Sequence, residues 1–196
     1  MDQDQPLDTT VLRAAYHEGI FPMGTDGTDE VGWFRPIRRC VFPIEGVHVS
    51  RSLAKTLRRD QFRVGFDEAF EDVMWSCRRP LDNWITPPIV ELYTAAHREG
   101  WGHSCEVWEG DALVGGTYGL ALGGCFCAES MFHRRTDASK VALYHMVEHC
   151  RELGFVLFDA QIPNPHLVSM GAEVIGQRDY MHLFRAALQV KTAWSR

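Results

Sequence analysis

Several familiar signatures are missing from this chain. Its six cysteines stand at 40, 77, 105, 125, 127 and 150, with no C-x-x-C pair among them. That spacing argues against the usual zinc-binding and thiol-redox motifs. No apolar run approaches the ~20 residues that a membrane-spanning helix needs. The opening MDQDQPLDTT is acidic and polar, the opposite of a secretory signal. These absences predict a cytoplasmic protein with no membrane partner, whose cysteines are reduced. Neither an internal repeat nor a low-complexity segment is present. What is present is ordinary globular material: 196 residues, 45% of them hydrophobic, enough for one sizeable core and a small appended module.

Charge is unevenly spread. The net charge is −6, which by itself argues against a nucleic-acid partner. Residues 1–30, however, hold seven acids against Arg13, a net of −6. Residues 33–63 hold eight bases, among them Arg39, Arg51, Lys55, Arg58 and Arg59, against Glu45 and Asp60, a net of +6. Local patches set local potential, so this segment is a candidate surface for phosphates. A merely solvated basic surface would look the same.

The chain is organised around Asp111–Phe132, DALVGGTYGLALGGCFCAESMF. Two apolar runs flank Leu122-Gly123-Gly124, which reads as a tight hairpin turn. Ser104–Trp108 adds a third strand, making an antiparallel meander. Gly115, Gly116 and Gly119 lie inside the central strand, where bare backbone predicts a bulge or a closely approaching ligand. On the next strand, strict alternation places Cys125, Cys127, Glu129 and Met131 on one face. A carboxylate in such company needs a partner or a task.

Around this centre, the patterns predict a helix capped by Thr9 or Thr10 and running to about Glu18, extended pieces broken by prolines up to Pro43, and a helix capped by Ser50. On that second helix Arg51, Lys55, Arg58 and Arg59 share one face. A strand at Phe62–Phe66 and a helix from Asp67 to Cys77 follow, then a loop presenting Trp84 and a helix over Ile89–Arg98. After the meander come a helix over Ala138–Leu153, capped by Thr136 or Asp137, and an apolar strand, Phe155–Phe158, read as buried on both faces. This strand–helix–strand unit implies a parallel pair. Asn164 opens a short helix, and Glu173–Leu188 shows strand-like alternation.

Asp159 and Gln161 emerge two residues apart at the end of the apolar strand, where open α/β sheets place ligands. They are the leading catalytic candidates. His145-Met-Val-Glu148-His149 matches an inverted zincin motif, but no later acidic helix supplies a third ligand, so it reads as helix surface. Ser130, His133 and Asp159 lack the nucleophile elbow of a triad. Antiparallel meander, helix and parallel strand also outline the GNAT acyltransferase fold. The expected fold is thus α+β: a GNAT-like mixed sheet over residues 48–196, with a small N-terminal module over 1–47. The loop that would cradle acetyl-CoA, Phe132–Ser139, contains no glycine, which argues against that donor.

Taken together, Tyr16-x-x-Gly19-Ile-Phe-Pro22, His48-Val-Ser-Arg51-Ser52, Trp84-Ile-Thr86, His103-Ser-x-Glu106-Val-Trp108, Leu113-Val-Gly-Gly116-x-Tyr-Gly119, Phe126-Cys-x-Glu-Ser-Met-Phe132, Ala138-Ser-Lys140, Asp159-x-Gln161-x-x-Asn164 and Ser169-x-Gly-Ala172 form an ordered set. With the Trp33/Pro36/Arg39 region, the chain resembles the leucyl/phenylalanyl-tRNA–protein transferase family from residue 16 to about 180. The resemblance implies transfer of leucine or phenylalanine from aminoacyl-tRNA to the N-terminal Arg or Lys of a protein, marking it for degradation. It implies no metal or coenzyme, and a monomer is expected. Asp159 and Gln161 take the family's catalytic positions. Glu129, Trp84 and Tyr93 fall where the family holds the terminal adenosine and the amino-acid side chain, with Met23, Trp33, Phe126 and Asn164 beside them. Arg39, Arg51, Lys55, Arg58 and Arg59 are expected to meet the RNA. Met23 stands where the family usually has tryptophan, and Trp33-Phe34-Arg35-Pro36 where it has Trp-Trp-Ser-Pro. The usual longer N-terminal segment is replaced by Met1–Leu12. Two other readings compete: a GNAT-like acyltransferase with another donor, and a non-catalytic module that binds tRNA or protein N-termini.

Overall fold

The computed structural model describes residues 7–59, 61–81 and 83–195. Asp60 and most of the acidic opening stretch lie outside them. The chain begins with α1 (Thr9–His17), whose cap is Asp8 rather than Thr9 or Thr10: its Oδ1 accepts the Val11 N–H at 2.9 Å. β1 (Phe21–Gly24) and β2 (Val31–Phe34) form a small antiparallel hairpin, then β3 (Arg38–Phe42) leads to α2 (Arg51–Arg58), capped by Ser50 as expected. Next come β4 (Arg63–Phe66), α3 (Phe70–Ser76) and α4 (Pro87–Arg98). The meander is β5 (Gly102–Glu109), β6 (Ala112–Leu122) and β7 (Cys125–His133). α5 (Ala138–Glu152), β8 (Leu157–Asp159), α6 (Pro165–Ser169), β9 (Glu173–Gly176) and α7 (Gln177–Ala187) complete it.

The protein is thus mixed α+β with one large, mostly antiparallel sheet, in the order β4-β5-β6-β7-β8-β3-β9. Only the β7–β8 pair is parallel within it, through the strand–helix–strand unit that the sequence predicts. β3 lies within the segment 1–47 expected to form the small module, yet it is an inner strand of this sheet, between β8 and β9. Helices cover both faces. α1, α3, α4 and α7 bury Leu12, Tyr16, Val73, Met74, Tyr93 and Phe184 against one face. α2, α5 and α6 bury Leu53, Val141, Met146 and Leu167 against the other.

Three expectations about the elements need correction. The run from Glu173 to Leu188 turns helical after Gly176, because Tyr180, Phe184 and Ala187 recur at helical rather than strand spacing and pack on the core. The strand predicted at Phe155–Phe158 starts two residues later, and Val156 is half exposed, so only Leu157–Asp159 is buried in the sheet. Likewise Asp67 does not begin a helix. It accepts the Ser104 N–H at 3.0 Å and faces His103, fixing the turn ahead of α3.

The glycines of β6 answer to packing rather than to a ligand. A Cβ on Gly115 would sit 2.6 Å from that of Ala138, and one on Gly119 2.3 Å from the Cys127 carbonyl oxygen. The bulge also predicted there is found. Tyr118 pairs with Ser130 and Gly119 with Ala128, so Glu129 is the extra residue, unpaired across the ladder. Alternation is therefore broken at Glu129. Met131 packs with Phe126 and Ala128 on the α5 face, and Phe132 takes the Cys125–Cys127 face instead.

Candidate active site

β7 and β8 run side by side only as far as Cys127 and Asp159. Beyond that point β7 continues to His133 while the other chain turns away. The fork opens a cavity of about 300 Å³ whose lining includes Phe21, Met23, Trp84, Glu129, Gln161 and Asn164. That is within the usual range for a small-molecule site.

Glu129 stands in its wall because the bulge re-aims it. Tyr16 donates to its Oε1, Tyr93 donates to its Oε2 at 3.2 Å, and Gln161 Nε2 donates to Oε1 at 2.6 Å. The two phenol oxygens are 2.7 Å from each other. Tyr16, Tyr93 and Glu129 thus make three mutual contacts with only two hydroxyl protons among them. A third proton, on Glu129, would complete the triangle, so the site has a place to store one. Burial pushes the Glu129 carboxyl up, the Tyr16 and Gln161 hydrogen bonds pull it back, and the negative Asp159 adds to the rise, leaving it at about 7.

Gln161 is placed by its own backbone. Its φ of 57° is left-handed, a conformation that costs a side-chain-bearing residue about 1 kcal/mol or more. Three bonds hold it there. Asp159 Oδ1 accepts the Gln161 N–H at 2.8 Å, and Cys40 of β3 donates to the Gln161 carbonyl at 2.9 Å and accepts the Ala160 N–H at 2.7 Å. Asp159 itself is fully buried and does not face the cavity. The expectation that it points out beyond the strand is corrected on that point. Its other oxygen pairs with the Arg39 guanidinium, which also donates to the Tyr180 hydroxyl at 2.9 Å.

Arg39 is therefore no surface cation. Only 1% of it is exposed, with its charge stacked 4.1 Å above the Tyr180 ring. Burial works to discharge the guanidinium, and the adjacent Asp159 more than offsets this, holding its pKa above the usual range. Arg51, Lys55, Arg58 and Arg59 do lie on the exposed face of α2.

The remaining expected residues separate into two groups. Trp84 and Met23 both line the cavity, and Gly24 N donates to the Trp84 carbonyl at 2.9 Å, tying the two together. Asn164 lines it too while capping α6 through the Leu167 N–H at 3.0 Å. Tyr93 stands one layer behind, wholly buried, and touches the site through Glu129. Phe126 and Trp33 do not reach the cavity. Phe126 is on the opposite side of the sheet, stacked on Phe158 at 5.3 Å between ring centres. Trp33 pairs with Pro22, and so faces away from the side of the hairpin that carries Phe21 and Met23. Sequence reasoning missed the role of Tyr16, whose hydroxyl is the nearest donor to Glu129. The signal available was its place in the Tyr16-x-x-Gly19 motif. Ser130, His133 and Asp159 form no triad, since Asp159 is committed to Arg39.

Comparison with known proteins decides the family. The model described as leucyl/phenylalanyl-tRNA protein transferase matches residues 41–185, and that of the family's N-terminal domain matches residues 5–37. The chain belongs to this family. A leucyl/phenylalanyl-tRNA–protein transferase from Ruegeria pomeroyi is 46% identical, over 93% of this chain and 87% of its own. One from Cereibacter sphaeroides is 47% identical over 96% and 89%, and one from Chlorobium limicola 43% identical over 94% and 97%. The protein is accordingly an aminoacyltransferase working between aminoacyl-tRNA and protein. Both parts of this transferase are matched, and its cavity draws on each: Phe21 and Met23 from the first, Trp84, Glu129 and Gln161 from the second.

Proposed function

We propose that this transferase moves leucine or phenylalanine from its tRNA to the N-terminal Arg or Lys of proteins, acting as a monomer in the cytoplasm and marking those proteins for degradation. In this reading the segment up to about residue 37 is a small N-terminal module, and the larger remainder is a GNAT-like catalytic domain. The terminal adenosine and its amino acid enter the cavity at the fork of β7 and β8, with Trp84 as the stacking platform. The exposed face of α2, with Arg51, Lys55, Arg58 and Arg59, meets phosphates of the acceptor stem.

The observation that carries this reading is Glu129: a carboxylate in the cavity wall, poised at about 7 and held by three donors. An aminoacyl ester is already activated, so the enzyme's task is mainly to position an amine against its carbonyl carbon. The nitrogen–carbon bond forms and the ester carbon–oxygen bond breaks. Glu129 takes the proton that the attacking nitrogen loses, and a proton returns to the departing ribose oxygen. Gln161 fixes the carboxylate's direction, and Asp159 fixes Gln161. Asp159 is thus a positioning residue. The reading is tested by offering labelled Leu, Phe or Arg on tRNA with peptides that begin with Arg, Lys, Asp or Glu. Leu and Phe should pass to the Arg and Lys peptides. Absence of any transfer, or transfer to Asp and Glu peptides instead, overturns it.

Met23 gives a further expected result. A thioether against an adenine contributes about 0.3–1.5 kcal/mol, whereas stacking on an aromatic contributes about 1–3 kcal/mol. Because Met23 lines the cavity and Trp33 does not, Met23→Trp should tighten binding of an aminoacyl-adenosine analogue severalfold, read by calorimetry. Weaker binding, together with lost binding in Trp33→Ala, would show that Trp33 is the platform.

A further inference from the structure

A second and larger hollow, of about 940 Å³, adjoins the cavity and shares Arg79 and Met131 with it. Two stretches far apart in the sequence bring cations to its wall. Arg78 and Arg79 follow α3, Arg134 and Arg135 follow β7, and Lys140 comes from the first turn of α5. Five positive side chains thus face a single carboxylate there, Asp137. Gathering like charges from distant parts of the sequence opposes folding, and an anionic ligand is what relieves it.

Lys140 is committed to Asp137, to which it donates at 2.7 Å, but the four arginines are arranged to remain available. Arg134 is fixed without being neutralised, since it donates to the Leu113 carbonyl and the Ser76 hydroxyl, each at 3.0 Å. Among the described residues Arg79 has no carboxylate partner. Arg78 and Arg135 have only exposed ones, Asp26 at 3.9 Å and Glu109 at 2.7 Å, of the kind that exchange readily with other anions. At its far side the hollow ends at Asp137, which accepts a hydrogen bond from Thr56 of α2 at 3.2 Å. It therefore leads from the Trp84–Glu129 cavity toward the helix that carries Arg51, Lys55, Arg58 and Arg59.

We propose that this cleft holds the phosphodiester backbone of the tRNA's single-stranded 3′ end, on its way from the ester-bearing adenosine to the acceptor stem. The inference rests on the reading of the cavity as the adenosine site. Spread cations suit a string of single phosphates. A pyrophosphate would instead call for clustered backbone amides, and the loop Phe132–Ser139 has no glycine to expose them.

The test compares two donors: charged Phe-tRNA, and 3′-O-phenylalanyl-adenosine, which has no phosphate. In R78Q/R135Q both of the ion pairs removed are exposed ones, so the thermal midpoint should hold. KM for Phe-tRNA should rise roughly tenfold, with kcat little changed, at near-physiological salt. The slope of log K against log salt should flatten by about 1.4, at ~0.7 for each single-strand phosphate left without its cation. Transfer from the phosphate-free donor should stay within about twofold, and R78E/R135E should deepen the loss for tRNA alone. Equal losses with both donors, or no loss with either, overturn the proposal. A wild-type protein that uses Phe-tRNA but does not bind the phenylalanyl-adenosine in the cavity, as judged by protection of Trp84 fluorescence from quencher, overturns the adenosine reading first and this one with it.

Discussion

Asp159→Ala should lower single-turnover transfer by roughly 10²-fold or more and also melt the protein at a distinctly lower temperature. Two bonds made by one buried carboxylate cause the two effects. One oxygen fixes the backbone of Gln161 in its left-handed turn, and so the amide that orients Glu129. The other neutralises Arg39, which is 1% exposed. Removing it strands a buried guanidinium, at a cost of about 3–5 kcal/mol. For a chain of this size that corresponds to roughly 10 °C in the melting midpoint. The Tyr180 ring and hydroxyl stay beside Arg39 but bring no negative charge. The double variant Arg39→Met/Asp159→Leu separates the effects. It should recover much of the midpoint by replacing the ion pair with apolar packing, while transfer stays low and tRNA affinity nearly normal. Recovery of transfer along with stability would leave Asp159 a structural residue only.

Glu129→Gln should cost transfer about 10²- to 10³-fold with little change in aminoacyl-tRNA affinity, the scale of a lost proton acceptor. The amide keeps the shape of the side chain and its contacts with Tyr16, Tyr93 and Gln161 but cannot take a proton. Its effect on stability should run the other way. In the folded protein the Glu129 carboxyl titrates at about 7, above its ordinary 4.5. The folded state therefore binds this proton more tightly than the unfolded one. Its contribution is full in acid and is lost as pH rises through about 7. At alkaline pH the Gln variant should melt no lower than the wild type, and this is checked by thermal scans on either side of neutrality. Near-normal turnover in the variant would remove Glu129 from the chemistry.

Much of this arrangement is legible in the residues. Alternation and the Gly123-Gly124 turn place the meander, Ser50 and Asn164 mark their helices as caps, and the apolar run before Asp159 marks the strand end that forms one arm of the fork. The failures have local causes. Period-2 counting stops at Glu129, because the β6 glycines signal a bulge without showing that its extra residue lies on β7, and so Met131 and Phe132 exchange faces. Arg39 reads as a surface base because nothing in its neighbourhood along the chain shows that β3 will pair with β8 and bring it against Asp159. Phe126 and Trp33 belong to the right strands, but register decides which side they face, and register is set by partners far away in sequence. The basic cleft escapes for the same reason: Arg78-Arg79 and Arg134-Arg135 are short pairs that only the tertiary fold brings together.

The most direct test of Glu129 as the proton acceptor is the pH dependence of single-turnover transfer from Phe-tRNA to an N-terminal Arg peptide, for the wild type and for Glu129→Gln. The wild type should show a limb rising with an apparent pKa near 7, from Glu129, together with the limb of the attacking amine near ~8. The variant should keep only the amine's limb, at a far lower plateau. A variant that retains both limbs at a nearly normal rate would contradict the assignment.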